Sequence, residues 1–515
     1  QGEFNTDSSN NYALTVTGTT TIGPNSGAAD QATLTCNAST VSLGALRQQA
    51  DYAVNIEIGG TFVGGTGTHT FGSLFMAQSA NAKATMTAGQ VKVNGYNNSA
   101  NKAWRVEYGG DTFDNANGTV MFQFNGFDSR MSMRGDSHAN NAFHDLIIHM
   151  NGDTRQISPD NGTKIIVDND LKITRGKLVM GINHELEVGG DVVIDDASDT
   201  AQLEMGSSSN ISPKAATFGS LTIGNDGTYK ATSGTTTITN KNSSNYIIQI
   251  AGLFTHNSGT VKIDTSVTGD KLLDLIPSSG VGLNNLIVNE DGSGVVQYNG
   301  NTTIAGNLTI EEGIFQFYDN NNSNLTVSGD VDIESGGQLG AAGWAGAGEF
   351  GSLTIASGGT YQATSGTTTI TNIESGASRS FLNNGTFTHN NGTVLFNGSM
   401  DQKMATNATG LFNNITLNKS NNDFVFIDSS TTVQGDLDIT MADNTRQCRP
   451  SSTSGTITVL GNVIVREGIM LRSANDCSGN MEFGGLILES GGIYGTTSGT
   501  TKINGVLRNI GGTIN

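Results

Sequence analysis

Residues 218–240 read FGSLTIGNDGTYKATSGTTTITN, and residues 350–372 read FGSLTIASGGTYQATSGTTTITN. Only four positions differ: Gly224, Asn225, Asp226 and Lys230 become Ala356, Ser357, Gly358 and Gln362. A third copy starts at Phe483 as FGGLILESGGIYGTTSGTTKIN. A fainter one starts at Phe71, where FGSL is followed by Lys83-Ala84-Thr85 at the offset of Lys230 from Phe218. The spacing of the four starts is nearly constant, and a long fixed period is the mark of an array of one module. The chain therefore divides into a cloning-type remnant at 1–4, an irregular part at 5–70, modules at 71–217, 218–349 and 350–482, and the start of another at 483–515.

Within each module the signals keep one order. After the Phe-Gly-Ser-Leu strand comes a Thr-Thr-Thr-Ile strand ending at Ile238 and Ile370. Next comes Phe-x-x-x-x-Gly-Thr-Val, at Phe113, Phe254 and Phe387. Short Leu/Ile strands follow, as in Leu283-Asn-Asn-Leu-Ile-Val. Last is a pair of strands about a Gly-Asp or Gly-Asn corner, as in Leu325-Thr-Val-Ser-Gly-Asp-Val-Asp-Ile333. Each run is four to six residues, rich in β-branched types and bounded by Gly, Asn, Asp or Ser. Alternation in steps of two puts Leu325, Val327, Val331 and Ile333 on a buried face, with Thr326, Ser328 and Asp332 facing water. Phe218, Leu221, Ile223, Phe350, Leu353 and Ile355 belong to the same core. One stretch reads as helix: Ala45 to Val54, with Leu46, Ala50 and Ala53 at helical spacing.

Strands this short, with corners every five to eight residues, suit stacked coils better than hairpins. Three strands of about 17 Å with tight corners give a flat triangular coil of about 20 to 25 residues. A module then holds about six coils, and at about 22 residues per coil the chain makes roughly 23, stacked about 4.8 Å apart. The expected fold is all-β, a right-handed parallel β-helix (β-solenoid) built from modules of about 130 residues. A string of β-sandwiches is the competitor. A propeller would show a shorter period.

Composition agrees with that fold and excludes several functions. Gly numbers 69 and Pro only 5, while charged residues make up 14% of the 515-residue chain. Scarce Pro preserves ladder hydrogen bonds. A net charge of −20 argues against a nucleic-acid or anionic-membrane surface. No apolar run approaches the roughly 18 residues of a membrane helix, and no signal peptide is visible. Gln1-Gly2-Glu3-Phe4 resembles a tag-cleavage and cloning remnant. The final Gly511-Gly-Thr-Ile-Asn515 looks like a rung cut short, so the expectation is a piece of a longer protein. Three cysteines, Cys36, Cys448 and Cys477, are too few for a disulfide framework. Cys448 and Cys477 are either neighbours on adjacent coils or separate thiols.

Nothing in the chain carries a nucleophile motif, a phosphate loop or a metalloprotease signature. His138, His144 and His149, with Asp145, form the one histidine group, but neighbours on a strand face opposite ways. Arg134-Gly135-Asp136 is an adhesion tripeptide that a Gly- and Asp-rich chain also produces by chance. Asp168, Asp170, Asp195, Asp196 and Asp199 are acidic loop residues for Ca²⁺ between coils, or merely a solvated surface. Lys172, Arg175 and Lys177 form the densest basic group. His256 and His389 sit in a repeated Phe-Thr-His-Asn, which favours structure, since one active site needs no copies. The expectation is therefore no catalytic residue, no cofactor apart from a Ca²⁺ option, and metal ligands left open.

Phe412-Asn-Asn-Ile-Thr-Leu-Asn, Val433-Gln-Gly-Asp-Leu-Asp-Ile439 and Gly392-Thr-Val-Leu-Phe-Asn-Gly398 resemble repeats of large extracellular β-solenoid proteins: bacterial surface adhesins, and tail fibres or other virion proteins of bacteriophages. The likeness covers about residues 55 to 515. It implies an extended, non-catalytic part of a virion or cell surface that projects or attaches. Its partners would be copies of itself, other fibre components or a surface glycan, with no nucleic acid and no membrane insertion. The alternatives are a polysaccharide lyase or hydrolase on a β-helix, or a bacterial adhesin or filament subunit. Residues 1–54 depart from the repeat, which leaves a distinct role open there.

Overall fold

A computed structural model describes residues 2–24, 31–44, 51–107, 112–123, 128–133, 142–150, 152, 154–160, 164–195, 200–207, 210–275, 282–292, 294–318, 322–376, 379–406, 411–420, 425–427, 430–443, 445–450, 455–470 and 478–515, with backbone alone at 207 and 425–427. Among these residues there is no helix; the chain is all-β, in parallel strands stacked as a β-solenoid. It forms two compact units. One holds residues up to Thr260, and the other holds Val261–Leu275 with Gly282–Asn515. Each is a stack of coils with three strands per coil.

The ladders carry the argument. In the first unit Leu14↔Val41, Val41↔His69 and His69↔Val91 are successive parallel partners. The stretch of chain between partners is uneven: short from Val296 to Phe315, and much longer from Thr20 to Val54. The uniform coil length expected from the sequence is therefore corrected. Corners carry excursions of unequal length, such as the one between Gln90–Val93 and Lys102–Val106. Coils longer than assumed also make fewer than 23. Antiparallel pairing is rare among the described residues; Ala201–Ser207 with Asn210–Ile211 is an instance. Gly2–Asn5, read as a remnant, pairs residue for residue with Ala32–Thr35.

The inward set follows the alternation. Phe218, Leu221, Ile223, Val327, Val331, Ile333, Phe350, Leu353 and Ile355 are all at most 1% exposed. Two buried tryptophans find polar partners: Trp344 Nε1 donates to the Ser323 carbonyl at 2.9 Å, and Trp104 Nε1 to Met133 Sδ at 3.1 Å. The helical reading of Ala45 to Val54 fails where it can be followed. Residues 45–50 lie outside the described residues, and Val54–Ile56 is a strand. Ala53 is buried because it closes against Gly44 and Gly72, where any larger side chain would collide. Its spacing from Leu46 is incidental.

The repeated letters have structural causes. Tyr229, Tyr361 and Tyr494 lie in the tube, and each shares a hydrogen bond with the threonine seven residues on: Thr236, Thr368 and Thr501, at 3.0, 2.7 and 2.7 Å. Thr232 Oγ1 donates to the Ser212 carbonyl of the coil before, at 2.6 Å, and accepts from Gly234 N at 2.9 Å. Thr497 does the same with Gly479 and Gly499. In the first copy the equivalent is Thr87, bonded to Gly67 and Gly89, so the Lys83-Ala84-Thr85 match is out of step by two residues. Glycine is required at these corners: a Cβ on Gly234 would lie 2.3 Å from the Pro213 carbonyl oxygen.

The module is not a whole number of coils. Six ladder steps from Phe71 pass through Val93, Phe122, Ile148, Ile173 and Ile194 to reach Ile223, not Phe218. In the second unit six steps from Phe350 pass through Ile370, Phe396, Leu417, Ile439 and Val465 to Leu488, not Phe483. Both end one strand beyond the next motif. A module is thus one strand short of six coils, and in each unit the second copy of the motif opens one strand stack earlier than the first.

Candidate functional site

Most of the chemistry-bearing side chains are bonded to neighbouring coils. Asp170 Oδ1 accepts from Asp191 N at 2.8 Å, Asp191 Oδ1 accepts from Ser220 Oγ at 2.6 Å, and Asp145 Oδ1 accepts from Asp170 N at 3.3 Å. The second unit repeats this column: Asn307 N to Asn285 Oδ1, Asp330 N to Asn307 Oδ1 and Ser352 Oγ to Asp330 Oδ1, at 3.0, 3.0 and 2.8 Å. Asn414, Asp436 and Asn462 form a third. These columns climb the corners, and two of them end on the serine of Phe-Gly-Ser-Leu. Burial raises the pKa of Asp170, its Asp191 amide bond opposing.

The other candidates are dispersed or structural. Asp168 accepts from Asn115 Nδ2 at 2.9 Å. His149 Nδ1 pairs with Thr174 Oγ1 at 2.8 Å, while Asp145 serves the corner column. His138, the Arg134-Gly135-Asp136 tripeptide, Asp196, Asp199 and Cys477 lie outside the described residues. Among the described residues no three His, Cys, Asp or Glu side chains gather as a metal would need. Lys177 pairs with Glu204, which also holds Lys230 at 2.9 Å. His256 and His389 fold turns: their Nδ1 atoms accept from Ser258 N and Asn391 N at 2.9 and 3.0 Å, where Asn257, Ser258, Asn390 and Asn391 have positive φ. Cys36 and Cys448 are buried free thiols, each pushed by burial up to about 12.

One place departs from the repeat in a concentrated way. It lies on the first coils, where residues 1–54 leave the pattern. On one strand stack the outward residues Thr21, Asn55, Phe75 and Arg105 are successive ladder partners over four coils. Phe75 is the outward residue of the first Phe-Gly-Ser-Leu strand. The same position holds Thr222, Thr354 and Ile487 in the other copies. The ring of Tyr52 stacks on that of Phe75, centroids 5.4 Å apart and planes at 26°. The Arg105 guanidinium lies over Phe75, 5.4 Å from its centroid, a cation–π arrangement.

This stack forms part of an open groove of about 610 Å³, whose lining includes Thr19, Thr21, Asp51, Asn55, Glu57 and Ser99. Asn55 Nδ2 donates to the Tyr52 carbonyl at 3.1 Å and so fixes the segment that carries Tyr52. Arg105 Nε donates to the Glu107 carboxylate. Burial would lower the Arg105 pKa, but the Glu107 bond and charge more than offset it, so the guanidinium stays charged. Burial pushes the Tyr52 phenol up to about 12, the Arg105 charge opposing. Burial also raises the Glu57 carboxyl. The groove offers hydroxyl, amide, carboxylate and guanidinium groups beside an aromatic wall. Comparing outward positions between copies would have found it; the inward and corner positions do not.

No model of a protein family matches this chain, and a search of curated proteins finds no match.

Proposed function

We propose that the chain is a structural and adhesive segment of an extended surface or virion fibre, of the bacteriophage tail-fibre kind, acting as spacer and attachment surface without catalysis. It works outside the cell, beside copies of itself or other fibre components, and meets a cell-surface glycan. The observation that supports this most is the fate of the repeated polar residues. The corner Asp and Asn side chains and the turn histidines hydrogen-bond to neighbouring backbone or side chains. A catalytic centre instead holds acid and base groups towards a substrate. Incubation with a broad panel of bacterial and algal polysaccharides is the test. Neither reducing ends nor unsaturated products are expected. Product released at enzyme-like rates, and lost on mutating one acidic cluster, would establish a carbohydrate-active enzyme instead.

A further inference from the structure

We propose that the lateral groove walled by Tyr52, Phe75 and Arg105 binds a neutral oligosaccharide. The inference deepens the attachment part of the function above, but it rests on different observations.

The first observation is Phe75 itself. An outward position on a solenoid strand needs no aromatic ring; two other copies of the motif place threonine there. The ring is not left loose. Tyr52 and Arg105 pack against it, and Asn55 holds the Tyr52 segment. Such a wall is ordered before any ligand arrives, which lowers the entropic cost of binding. Its apolar edge suits the C–H faces of a sugar ring.

The second observation is the set of polar groups around it. Asp51 and Glu57 line the groove, and among the described residues neither carboxylate forms an ion pair. A carboxylate has two oxygens and accepts from adjacent hydroxyls together. Asn55 supplies an amide donor and acceptor, Thr21 a hydroxyl, and Arg105 guanidinium donors. Vicinal hydroxyls, each both donor and acceptor, match this mixture. At about 610 Å³ the groove falls within the size of small-ligand sites.

The third observation is charge. Glu107 pairs with Arg105, so among the described residues lining the groove the charges left without an ion pair are those of Asp51 and Glu57. Their field, on a chain of net charge −20, repels uronates, sialylated glycans and nucleic acids. The ligand class is therefore uncharged.

The test is titration of the whole chain with neutral oligosaccharides and with uronate-containing ones of equal length, followed by calorimetry and ligand-observed NMR. The variants are Phe75→Thr, which installs the residue of two other copies, and Glu57→Gln. Thr354→Ala, on another coil, is the control. Phe75→Thr and Glu57→Gln are expected to fold as the parent and to weaken neutral-glycan binding by about tenfold or more. Uronates should bind more weakly than neutral glycans, and the control should bind as the parent does. Absence of binding by every neutral oligosaccharide, equal binding by the parent and both groove variants, or a preference for uronates would overturn the proposal. The outcome is separable from the catalysis assay: turnover would sink the non-catalytic reading without emptying this groove, and an empty groove would leave the spacer reading intact.

Discussion

Lys271 and Glu290 are both fully buried and paired inside the second unit. Lys271 Nζ also donates to the Gly269 carbonyl at 2.9 Å, and Glu290 Oε1 accepts from Gly292 N at 2.8 Å. Two charges in the interior cost much desolvation, which their attraction and these added bonds offset. Removing one partner strands the other. Lys271→Met is expected to destabilise by about 3–5 kcal/mol, and the double variant with Glu290→Met to recover most of that. Urea unfolding midpoints of the two variants check it; equal losses in both would mean that the pair is no pair. Asp332 poses the opposite case. Burial raises its pKa to about 6, and Asp330, Glu374 and Glu334 push the same way. A carboxyl raised above its unfolded value stabilises the fold at pH below that value, and the gain is lost as pH rises through about 6. Asp332→Asn should therefore raise the melting temperature at pH 7 and leave it little changed at pH 4. A variant that melts lower than the parent at pH 7 would contradict this.

Corners decide whether strands stack in register. Coils slide on one another unless something pins them, since a parallel ladder alone tolerates slippage of a two-residue step. The Asn and Asp columns are that pin: each side chain caps the backbone amide of the next coil, as Asn307 Oδ1 does for Asp330 N. Asn307→Ala removes an acceptor that a partly covered amide needs, at a cost of about 0.5–2 kcal/mol. Amide exchange should quicken at Asp330 and remain slow at Val331, whose strand is buried; uniform quickening would mean that the column is not local. Much of this element was legible in the letters. Inward Leu221, Ile223 and Ile238 recur as Leu353, Ile355 and Ile370 because these positions face the closely packed apolar interior. The columns were not legible, because Asp170 reads equally as a solvated acid or a Ca²⁺ ligand, and nothing in the letters ties it to Asp191 or Ser220. Only the register, which sets them on successive coils, separates these readings. Of the groove, the letters show only Phe75 standing where two other copies have threonine, and the rest of its line is hidden for a related reason. Thr21, Asn55, Phe75 and Arg105 are separated by unequal stretches of sequence that share no period, and unequal coils bring them into one line.

At the scale of the molecule, the module's shortfall of one strand orders everything outside the core. A module of six whole coils would print its surface pattern along one side. This one shifts the pattern by a stack at each repeat, as Phe71 and Phe218 show in one unit and Phe350 and Phe483 in the other. A cysteine introduced for labelling at Ser357 and its counterpart Ser490, which follow Phe350 and Phe483 by seven residues, should therefore carry two gold particles on different sides of the second unit. Images with both particles on one side would contradict the register. Within each unit the repeat rule is therefore a turn by one strand stack from one copy to the next, as on a screw thread. Inside either unit the two copies of a module feature look towards different sides, so a partner that reads such a feature meets the unit from two directions instead of along one face.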